Sequence, residues 1–395
     1  MSAIKTKLVA IAKDEALYLP EWIAHHLFVG FDEIEIHVNR TTDNTLEILN
    51  NICEKYSQVS YQSMDWIDIC SDLVSKNIQF VSQALAIEQA RTDGQCSHIC
   101  FLDIDEFWFD LEACQKINDY ITELGQGNII YNLWVNDLPD ENPFNHIRNH
   151  LSGNLSVLGK CIYPLATDFS YLHLHKSDVV GDQSWILPNG DEVIFDENAN
   201  QAVVEEQRKL NRAIIFHRAT RSEMEYVSLL YRGRPSDSFP YKRNRKGIPV
   251  RYEHTVDLAL DETFCEQRTT ILNEVLDACG SSALENAKNF VTERYRLSVE
   301  HIELFVEDKY DVMYKMFKGV RIYETVLPFI NYRQQRLKEC HQDVDKIREL
   351  AQQAIHQSID EAVLLIKLAH SLRPSGPLIN KLKDKFIAQQ KAAQP

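Results

Sequence analysis

The sequence predicts an α/β protein, in which a mixed, mostly parallel sheet flanked by helices is followed by a C-terminal α-helical region. Three observations support this. Strand-like and helix-like segments alternate through the first hundred residues, as in a parallel sheet. Three of these strands end in polar residues. Beyond residue 257 the chain is helical, so we predict two domains, residues 1–256 and residues 257–395.

Alternating or continuous apolar runs predict the strands of the first hundred residues, and apolar residues at helical spacing predict the helices. Pro20 lies near the start of the first helix, and Gly30 ends it. Asp43 is a suitable cap for the second helix. The predicted order is strand 7–12, helix 15–29, strand 33–39, helix 46–56, strand 59–62, helix 74–91 and strand 99–103.

Between residues 128 and 216, strand-like segments alternate with polar loops, as expected of the second half of a catalytic domain that carries acceptor-binding loops. The later helices each combine an apolar stripe with a polar face. The predicted elements are strands at 129–135, 157–163, 192–195 and 212–216, and helices at 270–278, 283–307, 344–372 and 378–391.

Composition excludes several classes of protein. The formal net charge of −16 argues against nucleic acid as the main partner, because phosphate backbones require a basic surface. Nine dispersed cysteines without a Cys-X-X-Cys pair fit reduced thiols in a cytosol. The first residues lack the apolar core of a signal peptide, and no stretch approaches eighteen apolar residues. We therefore expect a cytoplasmic protein.

The most informative segment is the acidic cluster after the strand at 99–103. Asp103, Asp105 and Glu106 place three carboxylates within four positions, and desolvating them is costly unless something pairs with them. A hard divalent cation, Mg²⁺ or Mn²⁺, is a suitable partner. On an ideal strand Asp103 and Asp105 would point to one face. The alternative is a turn that uses Asp as a cap.

In parallel sheets ligands bind beyond the carboxyl ends of the strands, so the three polar strand ends should converge on one crevice. No GxGxxG or Walker motif occurs, which excludes a dinucleotide-binding fold and a P-loop. The three strand ends are residues 13–15, residues 39–43 and residues 103–105.

Five blocks of sequence extend this pattern: KDE at 13–15, EWIAHH at 21–26, HVNRTTD at 37–43, FLDIDEF at 101–107, and FHRATRSEMEY at 216–226 followed by YRG at 231–233. In order and spacing they resemble family-2-like glycosyltransferases of the GT-A fold, including the related family 92. The resemblance covers about residues 5 to 235. Asp14 replaces the usual Asn, Asn39-Arg40 stands where Asp-Asn is common, and Arg221 replaces Lys.

The resemblance implies transfer of a sugar from a nucleotide-diphosphate sugar, with UDP as the expected nucleotide, to a hydroxyl of a glycan or lipid-linked acceptor. We expect an inverting reaction in the synthesis of a bacterial surface polysaccharide or lipopolysaccharide. The alternatives are a sugar nucleotidyltransferase and a non-catalytic nucleotide-sugar binding or scaffold protein. The former usually carries an early Gly-rich loop and a Lys, and neither is seen here.

The resemblance also implies roles for single residues. Mn²⁺ or Mg²⁺ would be held by Asp105, with His217 completing the metal shell and Asp103 as a second ligand or a contact to the ribose. Read alone, His217 is equally a core histidine at a strand end. The remaining donor-binding residues would be Lys13, Glu15, Asn39 and Asp43 around the base and ribose, and Arg221, Arg232 and Arg234 on the pyrophosphate.

An inverting transfer also needs a general base near the acceptor hydroxyl. Asp137, which follows the strand at 129–135, is our candidate, and Asp178 is a second. His173 and His175 alternate along the chain and either line the acceptor pocket or pack in the core. For Trp22 we expect core packing, whereas for His26 both roles stay open.

Two basic regions interrupt the acidic chain. Residues 232–251 carry seven Lys or Arg and one Asp, and form either a lid over the substrates or a surface loop. The basic last helix at 378–391 is predicted to rest on an anionic membrane surface, at its inner face, or to form a homodimer contact or a solvated tail.

Overall fold

The computed structural model describes residues 4–112, 116–233, 239–306, 310–321 and 327–393. The chain divides into two compact units, and each has its own hydrophobic core. The first unit comprises residues 1–226 and 249–293, and the second comprises residues 227–248 and 294–395. This division differs from a single boundary after residue 256, because the chain passes between the units three times.

The first unit is built on a sheet of ten strands in the order β3-β2-β1-β4-β7-β6-β11-β5, with β10 beside β6 and β12 beside β7. A separate two-stranded sheet pairs β8 with β9. The strands are β1 Thr6–Ala12, β2 Glu33–Val38, β3 Val59–Ser63, β4 His98–Phe101, β5 Glu106–Asp110, β6 Ile129–Asp137, β7 His150–Pro164, β8 Phe169–Tyr171, β9 Asp178–Val179, β10 Trp185–Ile186, β11 Ala213–His217 and β12 Thr255–Ala259.

The first four strands of the chain are parallel neighbours, so their carboxyl ends meet at one edge of the sheet. β7 then runs antiparallel between β4 and β6, while β11 is parallel to β6. This confirms the predicted mixed, mostly parallel sheet flanked by helices. Two predictions were wrong: β5 was missed, and residues 192–195 form only isolated bridges instead of a strand.

Helices cover the sheet. One of them differs from the helix that apolar periodicity predicts, because it is broken into two. The predicted helix 74–91 is divided into α3 and α4, where the Asn77 side-chain amide donates to the Leu73 carbonyl 2.7 Å away. The helices that begin in the first unit are α1 Leu19–Phe28, α2 Thr45–Lys55, α3 Asp72–Ser75, α4 Ile78–Asp93, α5 Ile117–Leu124, α6 Glu223–Leu230, α7 Glu262–Cys279 and α8 Ser281–Val306.

In the second unit the described elements are helical, which confirms the predicted C-terminal helical region. The predicted helix 344–372 is interrupted, because the Ser358 hydroxyl accepts the Glu361 N–H and caps a new helix. The helices are α9 Tyr310–Phe317, α10 Leu327–Glu339, α11 Val344–Ala354, α12 Ile359–Leu372 and α13 Pro377–Ala393.

Within the described residues, no helix is long and apolar enough to cross a membrane. The eight cysteines within these ranges are all free thiols, whereas Cys114 lies outside the described residues.

Helix α1 fixes the strand that follows the acidic cluster. The Trp22 indole N–H donates to the Glu106 carbonyl over 2.8 Å, and His25 Nε2 lies 2.7 Å from the Trp108 carbonyl. His26 is also buried and bonds the Trp22 carbonyl through Nδ1. These side chains of the EWIAHH block therefore build the scaffold, as expected for Trp22.

A buried ionic cluster joins α1 to α7 and to the segment after β11. Glu21 accepts from Arg268 over 2.7 Å and from Arg218 over 3.2 Å, and the Ile147 backbone N–H is 2.6 Å away. Burial alone would raise the pKa of Glu21, but a hydrogen bond from His146 and the two guanidinium charges hold it well below its usual range. The carboxylate is therefore ionised and paired.

We expect Glu21→Gln to lower the free energy of unfolding by about 3–5 kcal/mol, because two buried guanidinium groups lose their counter-charge. Urea unfolding at pH 7 measures this. Since the folded pKa of Glu21 lies below its ordinary value of 4.5, its contribution is complete above that pH and is lost as the pH falls.

The matched control is Glu54→Gln, because Glu54 is an exposed carboxylate on α2. It should change the free energy of unfolding by less than about 0.5 kcal/mol. Equal stability of the two variants would contradict a structural role for the cluster.

Candidate active site

The acidic cluster is a turn between β4 and β5, so the expectation of two carboxylates on one face of an ideal strand was wrong. The Glu106 N–H donates to the Asp103 carbonyl 2.9 Å away, and the Asp105 carbonyl accepts from the Arg218 N–H. These bonds end β4 at Phe101 and place Asp103 and Asp105 beyond the carboxyl end of the strand. The Asp103 side chain is 41% exposed.

Lys160, on β7, neutralises part of this negative charge. Its buried ammonium lies 3.2 Å from both Asp103 Oδ2 and Glu106 Oε2. Burial, partly opposed by Lys160, raises the pKa of the fully buried Glu106 to about 8. Burial alone would lower the pKa of Lys160, but Asp103 and Glu106 raise it, so the ammonium stays charged.

The sequence analysis did not assign a role to Lys160, which is a single cation within the predicted apolar strand 157–163. A buried lysine in such a strand requires a partner of opposite charge, and this was the available signal.

His217 and Asp105 meet at the carboxyl ends of β11 and of the turn. His217 Nε2 lies 3.6 Å from Asp105 Oδ2. His217 Nδ1 is 2.9 Å from the side-chain oxygen of Asn136, its neighbour on β6. Because that oxygen only accepts, Nδ1 carries a proton, and Nε2 is the ring atom that faces the carboxylate. When the ring is neutral, Nε2 and the Asp105 carboxylate are two acceptors that could hold a cation between them.

The donor set therefore suits a divalent cation with few protein ligands. Among the described residues no group of three or more His, Cys, Asp or Glu is arranged to hold a metal. Mg²⁺-type ions commonly use one or two side chains and complete their shell with phosphate oxygens and water. Asp105 and His217 fit that arrangement, and one oxygen of Asp103 is already held by Lys160.

Asp137, the predicted base, ends β6 and is buried. Its two oxygens accept the backbone N–H groups of Thr220 and Arg221, over 2.9 and 2.7 Å. Burial raises the pKa of Asp137 to about 6, although Arg218 lowers it. With both oxygens used in this way, Asp137 fixes the turn that leads from β11 to α6.

That turn holds Arg221 in an unusual conformation. Arg221 has a φ of 56°, and its guanidinium lies over the Tyr18 ring, 3.6 Å from the centroid. Burial would lower its pKa, but Tyr18 and the carboxylates of Glu15 and Asp105 raise it. The buried Nη2 has no hydrogen-bond partner among the described residues. A charged donor in this position is suited to an anion.

The residues predicted at the nucleotide end serve mainly to shape two loops. Asp43 accepts from Thr45 N–H over 3.0 Å and from Ala16 N–H over 2.9 Å. Asn39 donates to the Met64 carbonyl and to Asp65, over 3.3 Å each. Asp43 thus holds the residues after β1 and β2 together, whereas Asn39 holds the residues after β2 and β3 together.

Lys13 and Glu15 lie in the first of these loops. Lys13 Nζ is 3.6 Å from Asp14 Oδ2, and the Glu15 N–H donates to the Thr45 hydroxyl. Asp14 has a φ of 54° and accepts from the Thr42 N–H over 2.6 Å. This replacement for Asn therefore ties the loop after β1 to the loop after β2.

The segment between β8 and β9 lies beside the acidic turn. The His175 ring packs on Trp134, which also contacts His217. Asp178, the second candidate base, is paired with His173 over 3.3 Å and with Lys176 over 3.4 Å. His175 therefore contacts the same ring that packs on His217, whereas Asp178 is held by His173 and Lys176.

For two predicted pyrophosphate ligands the role stays a prediction. Arg232 belongs to the second unit. Arg234 lies outside the described residues.

Residues 9–156 match the family model described as glycosyltransferase family 92. This chain is related to glycosyltransferase family 92. The match includes the acidic turn and ends before His217 and Arg221. Over residues 9–156 the similarity is therefore to a glycosyltransferase family, and neither of the two alternatives considered from the sequence has such a match.

Among solved structures, the chain is similar to the galactosyltransferase LgtC in complex with donor and acceptor sugar analogs. The two are 13% identical, with a TM-score of 0.23. The alignment covers 40% of this chain and 58% of that chain, so it spans little more than half of LgtC. None of the curated proteins matches this chain.

The placement of Asp137 gives a test of its role. We expect Asp137→Asn to lower the free energy of unfolding by about 1.5–3 kcal/mol, because two buried N–H groups lose a charged acceptor. The transfer rate per folded molecule should change only a few-fold. Urea unfolding and sugar transfer are measured beside Asp178→Asn. A large loss of transfer at unchanged stability would make Asp137 the base after all.

Proposed function

We propose that the protein transfers a sugar from a nucleotide-diphosphate sugar, with UDP as the expected nucleotide, to an acceptor hydroxyl. The pairing of His217 with Asp105, in the tautomer set by Asn136, carries this proposal. A transferase of this kind must neutralise a departing nucleoside diphosphate. That chemistry requires groups that neutralise negative charge. We propose that they are the buried guanidinium of Arg221 and a divalent ion held by Asp105 and His217, which we call the metal-suited pair.

Mn²⁺ or Mg²⁺ would be held by Asp105 and His217, with Asp103 at the edge of the site. When bound, such an ion neutralises charge on the diphosphate leaving group. The hydrogen bond between Nδ1 and Asn136 orients the His217 ring so that Nε2 faces Asp105. The Trp134 ring, 4.4 Å from the His217 ring centroid, limits rotation of the imidazole.

Arg221 is proposed to bind the diphosphate. Its guanidinium is buried and rests on Tyr18, so its position is fixed before a ligand arrives. A preorganised cation stabilises developing negative charge without reorganising during the reaction. The carboxylates of Glu15 and Asp105 both raise the pKa of Arg221, which supports its proposed role. The roles predicted for Lys13, Asn39, Asp43 and Arg232 stay predictions.

For the general base we propose His175 instead of Asp137. His175 Nδ1 lies 3.0 Å from the Gly159 carbonyl, which only accepts, so Nδ1 carries the proton. Nε2 is then a lone-pair acceptor. Burial, with the charge of Lys160, lowers the pKa of His175 to about 4, so the ring is neutral at physiological pH. A neutral imidazole beside the metal-suited pair can accept the proton of an acceptor hydroxyl.

The proposal extends to the acceptor, the pathway and the location. A glycan or lipid-linked acceptor of bacterial surface polysaccharide or lipopolysaccharide synthesis, with inversion, stays our prediction. So do a cytoplasmic location and a homodimer. The exposed Lys381 and Lys385 on α13 support contact with an anionic membrane surface. Sedimentation with anionic vesicles tests this contact, and equal binding by a variant with Glu at both positions would reject it.

We expect Asp105→Asn and His217→Ala each to lower the transfer rate at least about 100-fold, because each removes a ligand or charge needed at the leaving diphosphate. Thermal shift with UDP and Mn²⁺ together should show a smaller stabilisation than in the wild type. Transfer is measured as UDP released from a panel of UDP-sugars.

The control is Asp178→Asn, which removes a carboxylate from the neighbouring segment without touching the pair. It should keep the stabilisation by UDP and Mn²⁺. Wild-type protein that is not stabilised by any nucleotide with Mn²⁺ would reject the proposed function in favour of a scaffold role.

A third variant addresses the base. His175→Gln should lower transfer by about 10²–10⁴-fold while the Kd for UDP stays within twofold, because a general base acts on the acceptor and not on the nucleotide. Isothermal titration and steady-state kinetics measure the two quantities. An undiminished transfer rate would exclude His175 as the base.

A further inference from the structure

An open apolar groove lies between α4 and the segment that contains β8. Its volume is about 520 Å³. The α4 side of the groove extends from Asn77 to Arg91, which corresponds to about 20 Å of helix. Residues 169–172 form the opposite wall. The groove is therefore long enough to hold an extended chain.

Helix α4 carries apolar side chains on two faces. Ala86 and Ala90 are buried in the core of the first unit. Phe80, Val81 and Ala84 lie one turn apart on a second face and line the groove. A helix that packs one face on a sheet is typically polar on the opposite face. The second apolar face of α4 therefore indicates that a ligand covers it.

Exposed apolar side chains continue along both edges of the groove. Tyr171, on the opposite wall, is 59% exposed, and Leu73, on α3 just before α4, is 76% exposed. Connected apolar surface of this kind on a soluble protein commonly marks a binding site.

The start of the groove lies at the same edge of the sheet as the acidic turn. Because β3 and β4 are both parallel to the strands between them, α4 must begin at their carboxyl edge and return to the other edge. The end of the groove at Asn77 therefore lies on the side of the sheet where β4 enters the acidic turn.

The chain itself connects the groove to the proposed base. Leu172 lines the groove, and His175 follows three residues later, so their Cα atoms are at most about 11 Å apart. Leu174, between them, lines a small cavity together with Asp103 and Lys160. A ligand in the groove can thus extend to the site where an acceptor hydroxyl is required.

The polar groups of the groove restrict the chemistry of the ligand. Arg91 pairs with Glu88 over 3.1 Å and donates to the Leu165 carbonyl over 3.0 Å. The Asn77 amide donates to the Leu73 carbonyl. A peptide in the groove would bring N–H and C=O groups that need partners, whereas a hydrocarbon chain needs none. A hydrocarbon chain therefore fits this lining better than a peptide does.

We propose that the groove binds the hydrocarbon chain of a lipid-linked acceptor whose reactive hydroxyl lies at His175. This inference rests on the proposed function and selects the lipid-linked acceptor from the two predicted classes. The short path from Leu172 to His175 requires a short head group between the chain and the hydroxyl. The transfer would thus take place on a lipid that carries few sugar units.

The affinity for such an acceptor should depend on the length of its chain. Each methylene that leaves water for the groove strengthens binding, at most about fourfold. The sugar of the acceptor does not change in such a series, so only contacts with the chain differ. Chain-length dependence therefore separates the groove from the site that binds the head group.

The test uses methyl, hexyl and decyl glycosides of glucose, galactose and N-acetylglucosamine, below their critical micelle concentrations. Ala84→Glu places a carboxylate on the apolar face of the groove at an exposed position. The matched control is Thr92→Glu, which adds the same charge at an exposed position of α4 outside the groove. Circular dichroism checks the fold, and Tyr171→Ser replaces Ala84→Glu if the latter does not fold.

In the wild type, the KM for the decyl glycoside should be at least about 10-fold below that for the methyl glycoside. Ala84→Glu should raise the KM for the decyl glycoside about 10-fold and leave that for the methyl glycoside, and kcat, within twofold. Thr92→Glu should retain the wild-type values. Isothermal titration with decyl glucoside should show the same contrast in Kd without a UDP-sugar.

Two results would overturn the inference while the proposed function stands. One is transfer whose KM is independent of chain length in the wild type. The other is a wild-type dimer, seen by sedimentation velocity, that Ala84→Glu dissociates without changing the KM for the decyl glycoside, because a second copy would then cover the groove. Wild-type protein that binds decyl glucoside but no nucleotide would instead reject the proposed function and the acceptor role of the groove.

Discussion

The structure depends on how three carboxylates can be placed at the end of one buried strand. Asp103, Asp105 and Glu106 lie in a tight turn, and each meets a different form of compensation. Lys160 bridges Asp103 and Glu106. Burial raises the pKa of Glu106 to about 8, although the charge of Lys160 opposes this. Asp105 faces a nitrogen of His217. Adjacent residues of one turn are thus compensated by different partners.

The scaffold that holds this turn is itself polar and buried. Trp22 binds the backbone of β5, and Glu21 gathers two arginines from distant parts of the chain. Removing a member of such a cluster leaves an uncompensated charge, so the cluster strongly specifies the packing of α1 against α7. The residues that resemble a family pattern therefore fall into two groups. The EWIAHH block positions the acidic turn, and the blocks with the acidic turn, His217 and Arg221 lie at the carboxyl ends of the strands.

The groups near the acidic turn differ in what they present. Arg221 has a buried guanidinium nitrogen without a hydrogen-bond partner among the described residues. Asp105 and His217 face each other across 3.6 Å. His175 contacts Trp134, the same ring that packs on His217.

The sequence by itself determined the mixed sheet, the C-terminal helices and the acidic strand end, because these depend on local periodicity and on residues adjacent in the chain. It also indicated the family, through five ordered blocks. It did not reveal β5 or the role of Lys160, since a lysine in an apolar strand acquires meaning only from its neighbours in space. Nor could it distinguish the roles of Asp137 and His175. Only the tertiary structure decided that Asp137 receives two backbone N–H groups whereas His175 keeps a lone pair, because hydrogen-bond partners are set by residues that lie far apart in sequence.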